Sequence, residues 1–271
     1  HRDLHYPLRR QRQMCIRDRS MAQDGRQQFL MDFNWKFQSG DVENGWNRDL
    51  DDSDWRTLNI PHDWSVEADF DMEAPAGGRG GYLPGGIGWY RKTFSIPVPF
   101  EGKTVWIDFD GVYMNAEVWI NNQYLGKQPY GYIGFWFDIT PYLVEEKNIL
   151  AVRVDNSLQP NSRWYSGSGI YRHVWLTVMD DVHIAHWGIY VTTPEITKER
   201  AVVSVRTTME NKHQYTKKLI LRSAVIDSEG NMISNEEIPF QPEAESVTEL
   251  ETRLVVNHPE LWSVDYPNLY S

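Results

Sequence analysis

Two short motifs hold side chains of the right type for acid–base chemistry. His62-Asp63 places an imidazole next to a carboxylate, and Asn235-Glu236-Glu237 places two carboxylates next to an amide. Cleavage of a glycosidic bond needs two carboxylates about 5 Å apart on rigid walls. A serine hydrolase needs a G-x-S-x-G turn, which the sequence lacks. We therefore interpret His62 and Asp63 as loop-bracing residues and the glutamates as solvated surface charge, and we predict no catalytic residue.

Metal and cofactor sites are not predicted either. His183 and His186 lie three residues apart but lack a helical context and a third ligand. Cys15 is the only cysteine, which excludes an internal disulfide and a zinc–thiolate site. The glycine-rich segment 77–88 leads into a strand pattern instead of a helix, so its glycines are typical of turns and not of a phosphate-binding loop.

A third segment has the composition of a sugar-binding loop. Asn161, Arg163 and Trp164 precede the glycine-rich turn 167–169. Sugars stack their apolar C–H faces on aromatic rings, and their hydroxyls form hydrogen bonds with planar amides. We take Asn161, Trp164 and Arg163 as candidate substrate-binding residues. The alternative, that Trp164 belongs to a hydrophobic core, stays open.

The charge of the chain argues against two classes of partner. Among its 271 residues are 27 basic and 38 acidic side chains, a formal net charge of −11. A body this acidic repels phosphate backbones, so we predict no nucleic acid partner. No stretch approaches the roughly 20 apolar residues of a membrane span, so we predict no membrane association. A neutral ligand suits this charge better.

Residues 1–26 differ in composition from the rest. Six arginines fall within the first twenty positions, and the apolar stretch of a signal peptide is missing. We expect this leader to be non-native or disordered; the alternative is a basic arm for an anionic partner. Met21-Ala22-Gln23-Asp24 is similar to the end of a signal peptide. The parent protein is therefore expected to be periplasmic or secreted, with a cytoplasmic location as the alternative.

Short runs of alternating apolar and polar residues predict an all-β chain. Helical periodicity is almost absent, and Asn121-Asn122 has the residue types of a two-residue hairpin turn. Strands joined by short turns are antiparallel, which favours a sandwich or jelly roll. The predicted strands cover residues 89–96, 104–109, 116–120, 149–154, 173–178, 201–207, 219–227, 232–238 and 246–256.

A change in composition near residues 179–186 predicts a domain boundary. Tryptophan and glycine are dense before it and sparse after it. We expect a jelly-roll domain over residues 27–180 and an immunoglobulin-like β-sandwich over residues 182–271. Fewer than 90 residues follow this boundary, whereas such a sandwich needs about 100. The second domain is therefore expected to be truncated at its C-terminus.

Together these segments resemble the N-terminal half of glycoside hydrolase family 2, the β-galactosidase/β-glucuronidase family. Their order and spacing agree with the family from about residue 27 to the C-terminus. The matching segments are Phe33-Asn34-Trp35-Lys36-Phe37, Pro61-His62-Asp63-Trp64, Gly88-Trp89-Tyr90-Arg91-Lys92-Thr93-Phe94, residues 109–121, residues 161–172 and Pro259-Glu260-Leu261-Trp262-Ser263.

The resemblance implies a galactose-binding-domain-like jelly roll, an immunoglobulin-like domain, and then a (β/α)₈ barrel with both catalytic glutamates. The sequence ends before any barrel. The chain is thus expected to be the non-catalytic, inactive N-terminal fragment of a retaining exo-β-glycosidase, in the first place a β-galactosidase of carbohydrate metabolism. Its implied partners are a β-linked oligosaccharide or glycoside, the missing barrel and further copies of the enzyme. A stand-alone lectin-like module and a structural adhesin sandwich are the alternatives.

The resemblance also implies roles for individual residues. In the family, the loop matching residues 161–164 reaches toward the barrel mouth, so Asn161 is expected to bind a sugar hydroxyl. Arg172 is expected to brace the domain. Some β-galactosidases place a sugar-binding asparagine where this chain has Gly85 or Gly86, which leaves galactose specificity unsupported at that position. No cofactor is implied in this chain.

Overall fold

The computed structural model describes residues 25–271. The predicted leader, residues 1–26, lies outside the described residues except for Gly25 and Arg26. The chain divides into two compact units between Met179 and Asp180.

Almost all of the regular secondary structure in both units is β-strand, which confirms the predicted all-β class. Between residues 25 and 179 the first unit contains one α-helix, Trp64–Glu67 (α1), and two 3-10 helices, Gly77–Gly80 and Thr140–Tyr142. Its strands are Gln27–Leu30 (β1), Trp35–Ser39 (β2), Arg56–Leu58 (β3), Gly86–Phe94 (β4), Lys103–Phe109 (β5), Ala116–Ile120 (β6), Gln123–Gln128 (β7), Phe135–Asp138 (β8), Asn148–Asn156 (β9) and Val174–Asp180 (β10). The second unit contains Val182–Ile196 (β11), Arg200–Asn211 (β12), Leu219–Ile226 (β13), Met232–Phe240 (β14) and Ser246–Asn257 (β15).

Two antiparallel sheets form the first unit. One has the order β3-β2-β4-β9-β6-β7 and the other the order β1-β10-β5-β8. Alternate residues of β5 and β9, such as Ile107 and Val152, are fully buried in a shared core. This is the two-layer arrangement expected of a jelly roll. The predicted hairpin turn is present, because Asn121 and Asn122 both have positive φ, 47° and 73°.

The six-stranded sheet also buries its outer face. Trp55, Trp89 and Ala151 form a second cluster there, with residues of the segment between β2 and β3 packed against it. Arg91 anchors this segment: its Nε donates to Asp52 Oδ2 at 2.8 Å and its Nη1 donates to the carbonyl of Gly45 at 2.8 Å. Apolar packing on both faces explains why tryptophan is dense in this half of the chain.

The second unit pairs a three-stranded sheet, β11-β12-β15, with the hairpin β13-β14. Its buried cluster is small and consists of Ala201, Val225, Leu254 and Val256. The division between Met179 and Asp180 falls within the predicted boundary region, residues 179–186. Strands β10 and β11 run through this region with only Asp181 between them.

Candidate functional site

The candidate sugar-binding loop lies at the ends of the two middle strands of the six-stranded sheet. It follows β9, whose last residue Asn156 pairs with Gly86, the first residue of β4. The loop before β4 and the loop after β9 therefore lie side by side, because in an antiparallel pair the start of one strand lies next to the end of the other. We call residues 77–85 the glycine loop and residues 157–169 the sugar loop.

Asp63 fixes the far end of the sugar loop. Its Oδ1 accepts hydrogen bonds from the backbone amides of Ser65 at 3.0 Å and Ser168 at 2.8 Å, and its Oδ2 accepts one from the Tyr165 hydroxyl. The bond from Ser65 is also the N-cap of α1. Hydrogen bonds to a carboxylate are stronger than neutral ones, so Asp63 ties α1 firmly to the sugar loop. Burial and the Asp63 charge raise the pKa of Tyr165, which keeps its hydroxyl a donor.

His62 lies next to this clamp and is buried. Its Nδ1 is 2.6 Å from the Tyr90 hydroxyl, and its Nε2 is 3.2 Å from Glu67 Oε2. Glu67 also makes two hydrogen bonds with Arg56, and Arg56 is the main cause that lowers the pKa of Glu67 to about 2. Burial lowers the pKa of His62. The buried imidazole therefore connects β4 to α1.

A buried polar chain joins α1 to the end of β9. Ser65 Oγ donates to Ser168 Oγ at 2.8 Å, and Asn156 Nδ2 donates to Ser168 Oγ and to the carbonyl of Gly167, each at 2.8 Å. Ser65, Asn156 and Ser168 are all buried. Buried polar groups that satisfy one another specify one arrangement, so the two ends of the sugar loop are held rigidly.

The side-chain amide of Asn161 forms all of its hydrogen bonds with other groups of the protein. Its Nδ2 donates to Asn156 Oδ1 and to the carbonyl of Leu158, while its Oδ1 accepts from the Tyr113 hydroxyl at 3.1 Å and from Ser166 Oγ at 3.3 Å. An amide has two donor and two acceptor positions, and all four are occupied. In this structure Asn161 acts as a brace of the sugar loop, and its predicted contact with a sugar hydroxyl stays a prediction.

Trp164 and Arg163 differ from Asn161 because their side chains are exposed. The Trp164 side chain is 73% exposed, so the alternative that it belongs to the core is wrong. Arg163 is exposed and makes no hydrogen bond or ion pair with residues 25–271. The rigid sugar loop thus presents an indole ring and a guanidinium to whatever lies beside it.

A shallow cleft separates the sugar loop from the glycine loop. Its volume of about 10 Å³ has room for about one water molecule, so it is not by itself a monosaccharide pocket. A side chain at Gly85 would place its Cβ 2.3 Å from the carbonyl oxygen of Asn156, and Gly86 has φ of 103°. The close contact at Gly85 and the positive φ at Gly86 disfavour an asparagine at either position. The cleft is lined by Ser65, Ala76, Arg79, Gly80, Leu83, Pro84, Asn156, Gln159, Pro160, Asn161, Ser162, Trp164, Tyr165, Ser166 and Gly167.

Several residues of the site were missed by the sequence analysis. Tyr113, Tyr165 and Ser168 hold the sugar loop through side-chain or backbone hydrogen bonds to distant residues, and no local pattern reveals such contacts. Arg172 is exposed and makes no hydrogen bond or ion pair within the described part of the chain, so its bracing role stays a prediction. Its neighbour Tyr171 does brace the domain, donating to the carbonyl of Gly131 at 2.8 Å.

Residues 25–271 contain no group of three or more histidine, cysteine, aspartate or glutamate side chains placed to hold a metal ion. Every helix in the same range is too short and too polar to cross a lipid bilayer.

Two family models cover nearly all of the described residues. The model of the sugar binding domain of glycosyl hydrolases family 2 matches residues 27–179, and a second model of glycosyl hydrolases family 2 matches residues 182–271. The chain belongs to glycoside hydrolase family 2. The resemblance found in the sequence is thereby confirmed.

Relatives of this family 2 chain are much longer than the chain itself. The β-galactosidase BoGH2A of Bacteroides ovatus is 47% identical over 243 residues, which cover 89% of this chain and 29% of that protein. A solved family 2 member from Bacteroides cellulosilyticus has a TM-score of 0.85 at 40% identity, covering 91% of this chain and 32% of that one. A Bacteroides uniformis β-glucuronidase has a TM-score of 0.82 at 28% identity, covering 90% and 29%. The chain thus spans about 30% of each relative.

The glutamates of the second family 2 unit have structural contacts. Glu236 Oε2 accepts a hydrogen bond from the backbone amide of Arg253 at 2.7 Å, and Glu237 pairs with Arg222. Glu236 is half-buried and caps a backbone amide of strand β15 at an exposed position, so its interpretation as solvated surface charge stays a prediction. A charged side chain at the edge of a sheet hinders pairing with another chain.

Proposed function

We propose that this chain is the N-terminal, non-catalytic part of a retaining exo-β-glycosidase, in the first place a β-galactosidase. Membership of family 2 supports the proposal, as do the relatives named as β-galactosidase and β-glucuronidase. In this proposal the chain contributes one wall of a sugar-binding site, and a catalytic barrel in the longer protein contributes the acid, the nucleophile and the remaining walls.

The observation that carries this proposal is the exposed indole of Trp164 on a rigidly held loop. An unsupported loop would lose conformational entropy when it binds a sugar, whereas the Asp63 clamp and the buried serines fix this loop beforehand. The cleft next to it is too small to enclose a monosaccharide. A wall that is rigid, aromatic and open fits a site completed by another domain.

The contacts of Glu236 and Glu237 support the non-catalytic part of the proposal. A retaining mechanism needs a carboxylic acid and a carboxylate facing each other about 5 Å apart across the bond that is cleaved. Glu236 is engaged with the backbone of β15 and Glu237 with Arg222. Both side chains belong to the hairpin β13-β14 of the second unit, whereas the sugar loop belongs to the first unit.

The alternative is a lectin-like module that acts by binding alone, and the exposed Trp164 would serve that function equally. The reading frame downstream of Ser271 separates the two. A frame that continues into a barrel with two glutamates supports the enzyme, and a stop codon directly after a complete sandwich favours the lectin. From the sequence of residues 21–24 we further propose a periplasmic or secreted location, with the cytoplasm as the alternative. We also propose that the full enzyme forms homo-oligomers and that this chain binds no cofactor.

Hydrolysis of p-nitrophenyl β-galactoside by the purified chain tests the proposal directly. We expect no turnover above the buffer background, and no change in the variant Glu236→Gln. Turnover that Glu236→Gln abolishes would overturn the non-catalytic assignment, because it would show that the Asn235-Glu236 pair acts as an acid/base.

A further inference from the structure

The loop that joins β7 to β8, residues 129–134, presents aromatic rings to the solvent, and we call it the tyrosine loop. Tyr130 and Tyr132 are each more than half exposed, and Ile133 is nearly half exposed. The two tyrosine rings contact each other, with centroids 5.8 Å apart and planes inclined by 68°. No residue of this loop is charged. Exposed aromatic residues that adjoin one another are typical of binding surfaces.

Tyr113 connects the tyrosine loop to the sugar loop. Its ring lies against the ring of Tyr132, with centroids 5.1 Å apart, and its hydroxyl donates to Asn161 Oδ1 at 3.1 Å. Its backbone amide and carbonyl pair with those of Gly169, the last residue of the sugar loop, at 2.9 Å in both directions. Tyr113 itself is buried. Asn161 and Tyr132 thus contact the same buried side chain, and the two loops adjoin each other on it.

Close packing fixes the tyrosine loop in one position. A side chain at Gly131 would place its Cβ 2.2 Å from the ring of Tyr113, so the backbone of the loop lies directly on that ring. The hydroxyl of Tyr171 donates to the carbonyl of Gly131 at 2.8 Å. The ring of Tyr171 is packed in turn against Gly111, where a Cβ would come within 2.7 Å of it. The exposed rings are therefore held in place before any ligand binds, which lowers the entropy lost on binding.

We propose that the tyrosine loop is a second carbohydrate contact, which binds a further sugar unit of a neutral β-linked oligosaccharide whose terminal unit lies at Trp164. The proposal rests on the proposed sugar-binding function and extends it to a site outside the sugar loop. Each exposed tyrosine offers a ring face to the apolar C–H groups of a sugar and a hydroxyl to its hydroxyl groups. Tyr130 and Tyr132 then determine a preference for an oligosaccharide over a single sugar unit.

The size of this surface favours a sugar over a protein partner. An aromatic side chain that is buried completely accounts for about 150–250 Å², so the exposed parts of Tyr130, Tyr132 and Ile133 amount to a few hundred Å² at most. A stable protein interface buries about 800 Å² on each partner. The absence of charge in the tyrosine loop also agrees with a neutral ligand.

The test uses the full chain, residues 1–271, and two neutral probes, methyl β-galactoside and β-1,4-galactotetraose. Dissociation constants are measured by NMR titration, and the ratio of the two constants is compared between variants. We expect the tetrasaccharide to bind about three- to ten-fold tighter, since one added stacking contact changes an affinity by a factor of this order. Tyr130→Ala and Tyr132→Ala should each reduce this ratio, and Tyr132→Phe, which keeps the ring, should retain most of it. Because both probes are measured on the same sample, a loss of folded protein leaves the ratio unchanged.

Tyr215→Ala is the matched control, because Tyr215 is 57% exposed like Tyr132 and stacks on one ring, that of His213, but belongs to the second unit. It should leave the ratio unchanged. Equal dissociation constants for the two probes would overturn the inference and leave the proposed function intact. A ratio that survives both Tyr130→Ala and Tyr132→Ala would also overturn it, since the tetrasaccharide then only has more sugar units to offer to one contact. So would the absence of binding by both probes, whereas the proposed function has its own test in hydrolysis.

Discussion

At the residue scale, Trp164→Ala separates sugar binding from folding. Because the indole is 73% exposed, its loss should change the free energy of unfolding by no more than about 0.5 kcal/mol. The affinity for methyl β-galactoside should fall several-fold, since the ring supplies the stacking face. Urea denaturation and NMR titration measure the two effects. Trp187→Ala is the control, because Trp187 is 75% exposed but lies in β11; it should leave the affinity unchanged.

Asp63→Asn tests the clamp on the sugar loop. Asparagine keeps an acceptor but loses the charge that strengthens the bonds from Ser65, Ser168 and Tyr165. We expect a loss of about 2 kcal/mol in the free energy of unfolding and faster hydrogen exchange of the Ser168 amide. Asp71→Asn is the control, because the Asp71 side chain accepts a hydrogen bond from the backbone amide of Glu73 at an exposed position. Equal effects of the two variants would contradict the clamp.

Single residues were also the part of the site that the sequence predicted least well. The residue types of the sugar loop indicated recognition, and Trp164 is exposed as that function needs. An asparagine at position 161 suits either of two roles, a sugar partner or a loop brace. Its four contacts come from residues up to 48 positions away. The choice between the two roles therefore depends on tertiary contacts that no local pattern encodes.

At the scale of elements, the ion pair between β3 and α1 makes stability depend on pH. Arg56 lowers the pKa of Glu67 to about 2 in the folded chain, below its ordinary value of 4.5. A carboxyl group whose pKa is lower in the folded chain stabilises the fold at every pH above its ordinary pKa. This stabilisation is lost as the pH falls toward 2. The difference in urea midpoint between the wild type and Glu67→Gln should therefore be full at pH 6 and smaller at pH 3.

Arg56→Gln removes the main cause of that lowered pKa. The difference in urea midpoint between the wild type and Arg56→Gln should therefore also be smaller at pH 3 than at pH 6. A difference that stays constant between the two pH values for both variants would show that the pair between Arg56 and Glu67 contributes nothing through its charge.

Elements were predicted better than residues because alternation records which face of a strand is buried. Strand Ala116–Ile120 was predicted with its observed bounds, and its alternate residues are buried. The strand Val182–Ile196 was missed. Past Ala185 it is largely exposed, and Trp187 has φ of 53° and interrupts the ladder. A long, bulged edge strand of this kind lacks the regular period-two pattern on which the prediction depends.

At the scale of the whole molecule, the two units should differ in local stability. The first unit has a large core with many fully buried side chains, such as Trp35, Ile107 and Leu176, whereas the cluster of the second unit contains four buried residues. Opening free energy follows the burial of apolar contacts. Amides of Lys103–Phe109 and Ala116–Ile120 should therefore exchange slowly, and amides of Leu219–Ile226 faster. Uniform protection across both units would contradict this expectation.

The central claim, that this family 2 chain presents a rigid sugar wall centred on Trp164, is tested most directly by NMR of the tryptophan indole groups. The chain has 12 tryptophans, and the variant Trp164→Phe assigns the indole resonance of Trp164. On titration with methyl β-galactoside, the resonance of Trp164 should shift with ligand concentration while those of buried Trp35 and exposed Trp187 stay in place. Shifts confined to Trp187, or no shift of any indole resonance, would contradict the claim.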